Sequence, residues 1–375
     1  MPDPLPATER QLVSTATEDG AIEVTLRELP VPTPSGDEVL IRIEATPINP
    51  SDLGVMFSVA DTGELSSLGY GARAPIPQAL RRHVAPRLGK PLPIGNEGAG
   101  TVVAAGNAPA AQAMIGKTVA IAGGGCYTQY RLARAQECLV LPDGVSAEEG
   151  ASSFVNPMTA LAMVGTMRRD GYRGIVHTAA ASNLGQMLVK LTASEGVPLV
   201  NIVRSAAQAD LLRGIGATHV LDSSAPDFLP ALIDAIAETQ AYLAFDAIGG
   251  GRLAGQILSA MEAAAVRTNP ASGPYGSTTM KHVHIYGSLN TAPTEVTRNF
   301  GFAWGMGGWL LTPYLQQAGM EEVMRMRARV GAEIRTTFAS RYTRRISLED
   351  AVQPDIIAGY VRRATGEKYL ILPQL

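Results

Sequence analysis

The chain has 375 residues, a length that predicts about two domains of ordinary size. Hydrophobic residues make up 46% and charged residues 17%, a balance that fills large cores and excludes intrinsic disorder, collagen and coiled coils. The formal net charge of −3 argues against a dedicated nucleic-acid-binding protein.

The first 45 residues predict β-strands, because β-branched and polar residues alternate there between glycine and proline. Residues 55–94 interrupt this pattern with prolines, glycines and a basic run, and we expect an inserted loop or short helices. A barrel-like β domain then continues in short strands, which we expect at residues 100–105, 117–121, 127–132 and 137–141.

From about residue 145, predicted strands and helices alternate. Such spacing is typical of βαβ units, which form a parallel sheet with right-handed crossovers. Predicted strands are GIVHTA (174–179), VPLVNIV (197–203), ATHVLDSS (217–224), YLAFDAIGG (242–250) and HVHIYGSL (282–289), with helices at 184–196, 206–216, 226–239 and 252–264. After residue 294 we expect helical pieces and a final short strand, KYLILP (368–373).

Three features bear on location. Cys126 and Cys138 are too few for a four-thiolate zinc site, and they suit a reducing, cytoplasmic setting. The first residues lack the basic and apolar regions of a signal peptide. Residues 299–320 carry no charge but are rich in glycine, so we expect a buried element, or one lining a pocket or subunit contact, and no membrane partner.

The turn AAASNLG (179–185) follows a predicted strand and begins a predicted helix. In a βαβ unit, free N–H groups at this helix terminus bind the pyrophosphate of a dinucleotide. The usual glycine fingerprint is reduced, and a turn that binds nothing is the alternative. The residues predicted to bind the phosphates are Ala181, Ser182, Asn183, Leu184 and Gly185.

The end of the next predicted strand carries a positive charge. Enzymes that use NAD place an acidic residue there, about 20 residues after the glycines, to bind the ribose hydroxyls. Here Arg204 occupies that position and Ser205 follows it. A guanidinium binds a 2′-phosphate, so the sequence predicts NADPH, the alternative being a solvated arginine.

Several short motifs occur in the order found in one enzyme family: INPSD (48–52), GNEGAG (95–100), VNPMTA (155–160), AAASNLGQ (179–186), FDAIGG (245–250) and IYGSL (285–289). The chain therefore resembles the zinc-independent medium-chain dehydrogenase/reductases, particularly NADPH:quinone oxidoreductases and mitochondrial-type enoyl-thioester reductases. The resemblance implies an α/β protein and a homodimer. A GroES-like β-barrel catalytic domain (1–150 and 295–375) would flank a Rossmann NADPH-binding domain with a doubly wound parallel sheet (151–294).

The resemblance also implies roles for single residues. Asn49 would line the nicotinamide pocket, and Thr159 would face the nicotinamide or ribose; a turn residue and a helix cap are the alternatives. Lys368 would reach the adenine-side phosphates. The residues expected along the cofactor are Ile248, Gly249, Tyr286, Gly287 and Asn290.

The sequence departs from the family's pattern at two places that bear on the chemistry. Enoyl reductases carry a tyrosine about a dozen residues after the NPSD start, and quinone reductases often carry one directly after it; these positions hold Ala60 and Gly54. Tyr70 is the candidate substitute, an exposed loop tyrosine being the alternative. We expect no metal, because Asn96 precedes Glu97 where relatives place a zinc ligand, and the His282/His284 pair cannot close a site.

Without a metal, hydride transfer to a conjugated acceptor is easier than alcohol–ketone redox, because a few hydrogen bonds hold the delocalised charge. The prediction is a zinc-independent, NADPH-dependent oxidoreductase that acts on a quinone or related enone, of the EC 1.6.5.5 type. The alternatives are an enoyl-thioester (2-enoyl-CoA or ACP) reductase and a non-catalytic NADPH-binding protein. The expected partner is a small-molecule substrate.

Overall fold

The structure, a computed structural model, describes residues 4–268 and 273–375. It divides the chain into two compact units. The first comprises the chain up to Val155 together with Arg327–Leu375, and the second is Asn156–Met326.

The first unit begins as predicted, with antiparallel strands of alternating burial. Its elements in chain order are β1 (Thr8–Ala16), β2 (Ala21–Pro30), β3 (Glu38–Pro47), α1 (Pro50–Phe57), β4 (Ser66–Ser67), β5 (Gly71–Pro75), β6 (Leu92–Pro93), β7 (Glu97–Ala105), α2 (Pro109–Gln112), β8 (Thr118–Ala122), β9 (Tyr130–Arg134), β10 (Leu139–Val140) and α3 (Ala147–Gly150). Short 3₁₀ helices lie at Thr62–Glu64, Gln78–His83, Ala85–Arg87 and Ala135–Glu137.

The predicted insertion, residues 55–94, is more than a loop. It contains short helices as expected, but β5 also pairs with β2, from Ala21↔Pro75 to Thr25↔Gly71. The sequence GARAP has no strand periodicity, so only its pairing with β2 makes it a strand. Arg87 of the basic run donates through Nη2 to Ser14 Oγ (2.6 Å) and through Nη1 to the Val55 carbonyl oxygen (3.3 Å), so this arginine packs within the unit.

The second unit alternates helices and strands, as predicted. Its elements are α4 (Val155–Arg169, which starts at the boundary), β11 (Ile175–His177), α5 (Asn183–Glu195), β12 (Leu199–Val203), α6 (Ala206–Gly214), β13 (His219–Asp222), α7 (Phe228–Thr239), β14 (Leu243–Asp246), β15 (Gly249–Gly251), α8 (Leu253–Thr268), β16 (Lys281–Ile285), β17 (Asn290–Thr294), β18 (Trp304–Gly308) and α9 (Leu311–Ala332, interrupted at Gly319 and continuing past the boundary at Met326).

The strands of this unit form a parallel sheet in the order β13-β12-β11-β14-β16-β18. The order reverses between β11 and β14, because the chain runs outward first to one side of β11 and then to the other. In open α/β sheets, ligands bind beyond the carboxyl ends of the strands at such a switch point. The predicted α/β class with a doubly wound parallel sheet is therefore confirmed.

The second domain boundary differs from the expected one. Residues 295–326 lie in the second unit, because β18 pairs with β16 from Lys281↔Trp304 to Ile285↔Gly308. The first boundary, at Val155, lies close to the predicted residue 150. The uncharged residues 299–320 contain β18 and the start of α9, and no helix of the described ranges is long and apolar enough to cross a membrane.

The chain then returns to the first unit. The remaining elements are a 3₁₀ helix (Asp350–Val352), β19 (Arg344–Ile346), α10 (Pro354–Val361) and β20 (Tyr369–Ile371). β20 pairs antiparallel with β3, and β19 pairs parallel with β20. The last residues therefore extend the sheet that β3, β7, β8 and β10 build, and this places Lys368 directly before a central strand.

Candidate active site

The turn between β11 and α5 is tightly packed. Ser182 is the N-cap of α5, and its Oγ accepts a hydrogen bond from the Gly185 amide (3.1 Å). A Cβ on Gly185 would lie 2.0 Å from the Ala180 carbonyl oxygen, so only glycine permits this approach of helix and turn. Ala179 adopts a positive φ of 50°, unusual for a residue with a side chain. The first turn of a helix leaves N–H groups without intrahelical partners, so the turn can bind an anion.

Arg204 and Ser205 follow β12, the parallel neighbour of β11. Ser205 is the N-cap of α6 and accepts a hydrogen bond from the Gln208 amide (3.4 Å). The Gln208 side chain in turn accepts from the main-chain amide of Arg204 (3.0 Å). The side chain of Arg204 is exposed. The guanidinium of Arg204 therefore lies at the same edge of the sheet as the turn before α5.

Asp246 ties together the ends of β11 and β14. Its carboxylate accepts hydrogen bonds from Thr178 Oγ1 (2.7 Å) and from the amides of Ile248 (2.9 Å) and Gly249 (3.1 Å). The sequence prediction named Ile248 and Gly249 but missed Asp246 and Thr178. The signal was present, because an aspartate often accepts hydrogen bonds from amides two or three residues later and so forms a turn.

Three other residues predicted to bind the cofactor, Tyr286, Gly287 and Asn290, contact the turn that begins at Asp246. A Cβ on Gly249 would lie 2.7 Å from the Gly287 carbonyl oxygen, and the Asn290 amide donates to the Ile248 carbonyl oxygen (2.9 Å). The Tyr286 amide donates to the Asp246 carbonyl oxygen (3.0 Å). The structure thus brings five predicted residues together at the ends of β14 and β16: Ile248, Gly249, Tyr286, Gly287 and Asn290.

Tyr286 has a partner that the sequence did not reveal. His177, at the end of β11, is fully buried, and its Nε2 lies 2.8 Å from the Tyr286 hydroxyl. Burial lowers the pKa of His177 to about 4, so the imidazole is neutral near pH 7. Burial and the Asp246 carboxylate raise the pKa of Tyr286. No local sequence pattern links His177 with Tyr286, which lies 109 residues later, so this pair was not predicted.

A cavity of about 590 Å³ lies beside Tyr286, within the second unit. Its lining includes Tyr286, Gly287, Trp309 and Tyr314. The size suits a small molecule. Residues of the uncharged segment 299–320 line this cavity, which is one of the roles expected for that segment.

Thr159 lies in the first turns of α4 and is buried.

In the first unit, Asn49 is the buried N-cap of α1, and its Nδ2 donates to Glu97 Oε1 (2.7 Å). The other carboxylate oxygen, Glu97 Oε2, accepts from the amides of Phe154 (2.9 Å) and Val155 (2.8 Å). Glu97 therefore fixes the orientation of the Asn49 amide, a role that the sequence prediction missed.

Lys368 joins the same buried polar group in the first unit. Its Nζ donates to Ser152 Oγ (2.7 Å) and lies 5.4 Å from the centre of the Tyr342 ring. Burial lowers the pKa of Lys368 to about 8, opposed by the attraction of Glu97 and Asp52. Burial also raises the pKa of Asp52 to about 7. The predicted contact of Lys368 with a cofactor phosphate remains a prediction.

Two further expectations concern catalysis and metal. Tyr70 lies before β5 with 65% of its surface exposed, whereas Asn49, the other predicted catalytic residue, is buried.

Asn96, at the position where relatives place a zinc ligand, makes a hydrogen bond within the first unit, since its main-chain amide donates to Asp52 Oδ1 (2.8 Å). The rings of His282 and His284 lie 4.2 Å apart, and within residues 4–268 and 273–375 no group of three or more metal-ligating side chains occurs.

A family model and two curated proteins match parts of the chain. Residues 35–143 match the alcohol dehydrogenase GroES-like domain. The chloroplastic quinone-oxidoreductase homolog of Spinacia oleracea is 32% identical over 209 residues, 53% of this chain and 56% of that protein. The mitochondrial enoyl-[acyl-carrier-protein] reductase of Bos taurus is 29% identical over 223 residues, 58% of this chain and 53% of that protein. The chain thus spans about half the length of these curated relatives.

Solved structures match over the whole chain. A Mesorhizobium loti protein, described as a candidate NADPH:quinone reductase, has a TM-score of 0.72 and 26% identity, covering 99% of this chain and 100% of that one. The Escherichia coli quinone oxidoreductase complexed with NADPH has a TM-score of 0.69 and 18% identity, covering 97% and 100%. The chain therefore has the fold of the medium-chain dehydrogenase/reductases, and it is similar to their quinone oxidoreductases and mitochondrial enoyl reductases.

Proposed function

We propose that the protein is an NADPH-dependent oxidoreductase that transfers a hydride to a quinone or related enone without a metal, of the EC 1.6.5.5 type. One observation carries the proposal. The Ser182–Gly185 turn and Arg204 follow adjacent parallel strands at the carboxyl edge of the sheet, beside its switch point.

The residues at this edge fit a phosphorylated dinucleotide. The first turn of α5 offers N–H groups and the positive end of a thirteen-residue helix to a pyrophosphate. The exposed Arg204 guanidinium suits a 2′-phosphate, which it can bind through two parallel N–H groups. Ile248 and Gly249, held by Asp246, and Gly287 and Asn290 would line the rest of the cofactor.

The names of similar proteins support the same cofactor and substrate class. The Escherichia coli structure is a complex with NADPH, and the Spinacia oleracea protein is named for quinone reduction. When bound, NADPH supplies the hydride. The protein then has to orient the acceptor, exclude water and hold the charge that develops on the acceptor oxygen.

Enoyl-thioester reduction is the second candidate. It is favoured by the similarity to the Bos taurus enoyl-[acyl-carrier-protein] reductase, which covers a share of this chain comparable to that of the quinone-oxidoreductase homolog. Both reactions deliver a hydride to a conjugated acceptor, so the geometry of the cofactor edge suits either. The two candidate functions differ in which acceptor the protein reduces, a quinone or an enoyl thioester.

A stopped-flow experiment tests the proposal. NADPH and NADH are each mixed with the protein and 1,4-benzoquinone, 9,10-phenanthrenequinone, a crotonyl thioester or a simple enone. We expect NADPH oxidation with the quinones and a clear preference for NADPH over NADH. Oxidation by the thioester alone would establish the second candidate. Tight NADPH binding without oxidation by any acceptor would instead indicate a non-catalytic binding protein.

A further inference from the structure

Hydride transfer leaves a negative charge on the acceptor, so a proton must follow from the protein or from water. The second unit holds a tyrosine whose position suits this step. Tyr286 lines the cavity of about 590 Å³ and lies on the segment whose next residue, Gly287, packs against Gly249. Its hydroxyl is 2.8 Å from Nε2 of the buried His177.

The hydrogen-bonding of His177 determines which way the Tyr286 proton points. Nδ1 of this neutral imidazole is buried and makes no hydrogen bond within residues 4–268 and 273–375. A buried N–H without an acceptor is rarer in proteins than a buried acceptor without a donor. The imidazole proton therefore sits on Nε2 and is donated to the Tyr286 oxygen. The hydroxyl proton of Tyr286 is then available to another acceptor.

We propose that Tyr286 is the proton donor of the reaction and that His177 positions its hydroxyl, for an acceptor bound in the cavity walled by Tyr286, Trp309 and Tyr314. This inference rests on the proposed function. The sequence predicted Tyr286 only as a residue beside the cofactor.

The step balances with NADPH, the acceptor and one proton taken from water. When bound, NADPH would supply a hydride, that is two electrons and one hydrogen, and would become NADP⁺, while the acceptor would become a hydroquinone monoanion or an enolate. The Tyr286 O–H bond then breaks, and the proton joins the acceptor oxygen. The phenolate that remains is held by the His177 Nε2–H group and recovers a proton from water. Burial and the Asp246 carboxylate raise the pKa of Tyr286 and so disfavour the phenolate, and the N–H group donated by His177 opposes them by stabilising the charged form.

The cavity favours a flat, uncharged acceptor. Trp309 and Tyr314 supply aromatic walls, with their ring centres 6.5 Å apart. The cation at its edge, Arg169, already donates to Asp170 Oδ1 (2.8 Å) and to Gln317 Oε1 (2.9 Å), and it lies 5.8 Å from the Tyr314 ring. Because that charge is balanced, we expect a fused-ring quinone to bind better than an anionic acceptor.

Kinetics of Tyr286→Phe test the donor. We expect kcat with 9,10-phenanthrenequinone to fall about 10²- to 10⁴-fold, the usual contribution of a general acid, with little change in KM. The residual rate should fall as pH rises and should increase with the concentration of buffer acid, which a structural role of Tyr286 would not produce. Tyr172→Phe, outside the cavity, is the matched control and should retain the wild-type rate.

The tautomer of His177 provides a test that needs no turnover. Nitrogen-15 NMR of the histidine side chains, assigned by comparison with His177→Gln, should show a neutral ring with its proton on Nε2 at pH 7. A proton on Nδ1 would mean that Tyr286 donates to His177, which would overturn the proposal. His177→Phe should lower kcat about 10- to 150-fold, as for a lost hydrogen bond to a charged group, and His177→Gln should restore part of it.

The two proposals fail in different ways. If the wild-type protein binds NADPH but reduces no acceptor, the proposed function fails and this inference fails with it. If the wild type turns over while Tyr286→Phe keeps its rate, only the assignment of the donor is overturned. A large loss in Tyr70→Phe with Tyr286→Phe intact would transfer the role to Tyr70.

Discussion

Replacing Gly185 by alanine tests the packing that holds the first turn of α5 against β11. A Cβ at this position would lie 2.0 Å from the Ala180 carbonyl oxygen and 2.6 Å from its carbonyl carbon. Ordinary contact begins near 3.4 Å, so the helix and the turn would have to separate by about 1.4 Å. Both neighbouring atoms belong to the main chain and cannot rotate away. Overpacking of this kind typically costs about 1–3 kcal/mol.

We therefore expect Gly185→Ala to lower the free energy of unfolding by about 1–3 kcal/mol in urea denaturation. It should also weaken NADPH binding, measured by nicotinamide fluorescence, because the N–H groups of α5 move with the helix. Gly214→Ala is the matched control, since no described atom outside its own helix backbone and chain neighbours lies within 4 Å of a Cβ there. The control should be neutral or stabilising by up to about 1 kcal/mol. Wild-type stability and affinity in Gly185→Ala would refute the reasoning.

Three further predictions concern charge. Arg204→Asp should weaken NADPH binding by about 1.5–3 kcal/mol and leave NADH binding nearly unchanged; equal NADPH affinities in titrations would remove the 2′-phosphate assignment. Lys281→Met should lower the free energy of unfolding by about 3–5 kcal/mol, because Lys281 Nζ bonds the buried Glu262 at 2.6 Å. Stability should return in Lys281→Met with Glu262→Gln, and a double variant as unstable as the single one would contradict this. His177 has a folded-state pKa of about 4, below the ordinary 6.5, so the folded state binds fewer protons and stability is lost as pH falls from about 6.5 to 4. The free energy of unfolding, measured by denaturation at pH 7.5 and at pH 4.5, should fall between these pH values by about 2–3 kcal/mol less in His177→Gln than in the wild type. An equal fall in both proteins would count against this prediction.

Local periodicity identified most of the second unit. The predicted helix at 184–196 is α5 (Asn183–Glu195), and the predicted strand at 197–203 contains β12 (Leu199–Val203). These segments succeed because each carries a continuous apolar pattern with glycine or serine at its ends. The same pattern located the Ser182–Gly185 turn between a strand and a helix, and this place in the chain is the basis of its proposed function.

The elements that were missed lack such a pattern. β18 has the sequence WGMGG, with Gly305 and Gly307 opposite His282 and His284 of β16. A Cβ on Gly305 would lie 2.6 Å from His282 Nδ1, so this position needs a glycine because the His282 imidazole occupies that space. Nothing local makes this segment a strand, and its pairing with β16 decides both the strand and the domain boundary.

The sequence alone determined the class of the fold, the alternation of strands and helices, and the residues that follow each parallel strand, because these depend on patterns only a few residues long. Only the tertiary structure decided that His177 supports Tyr286, that Asp246 joins two strand ends and that Glu97 orients Asn49. Those contacts join residues far apart in the chain. These contacts are strong because burial removes water as a competing hydrogen-bond partner. A local sequence pattern does not indicate which distant groups will be buried together, so these contacts could not be predicted.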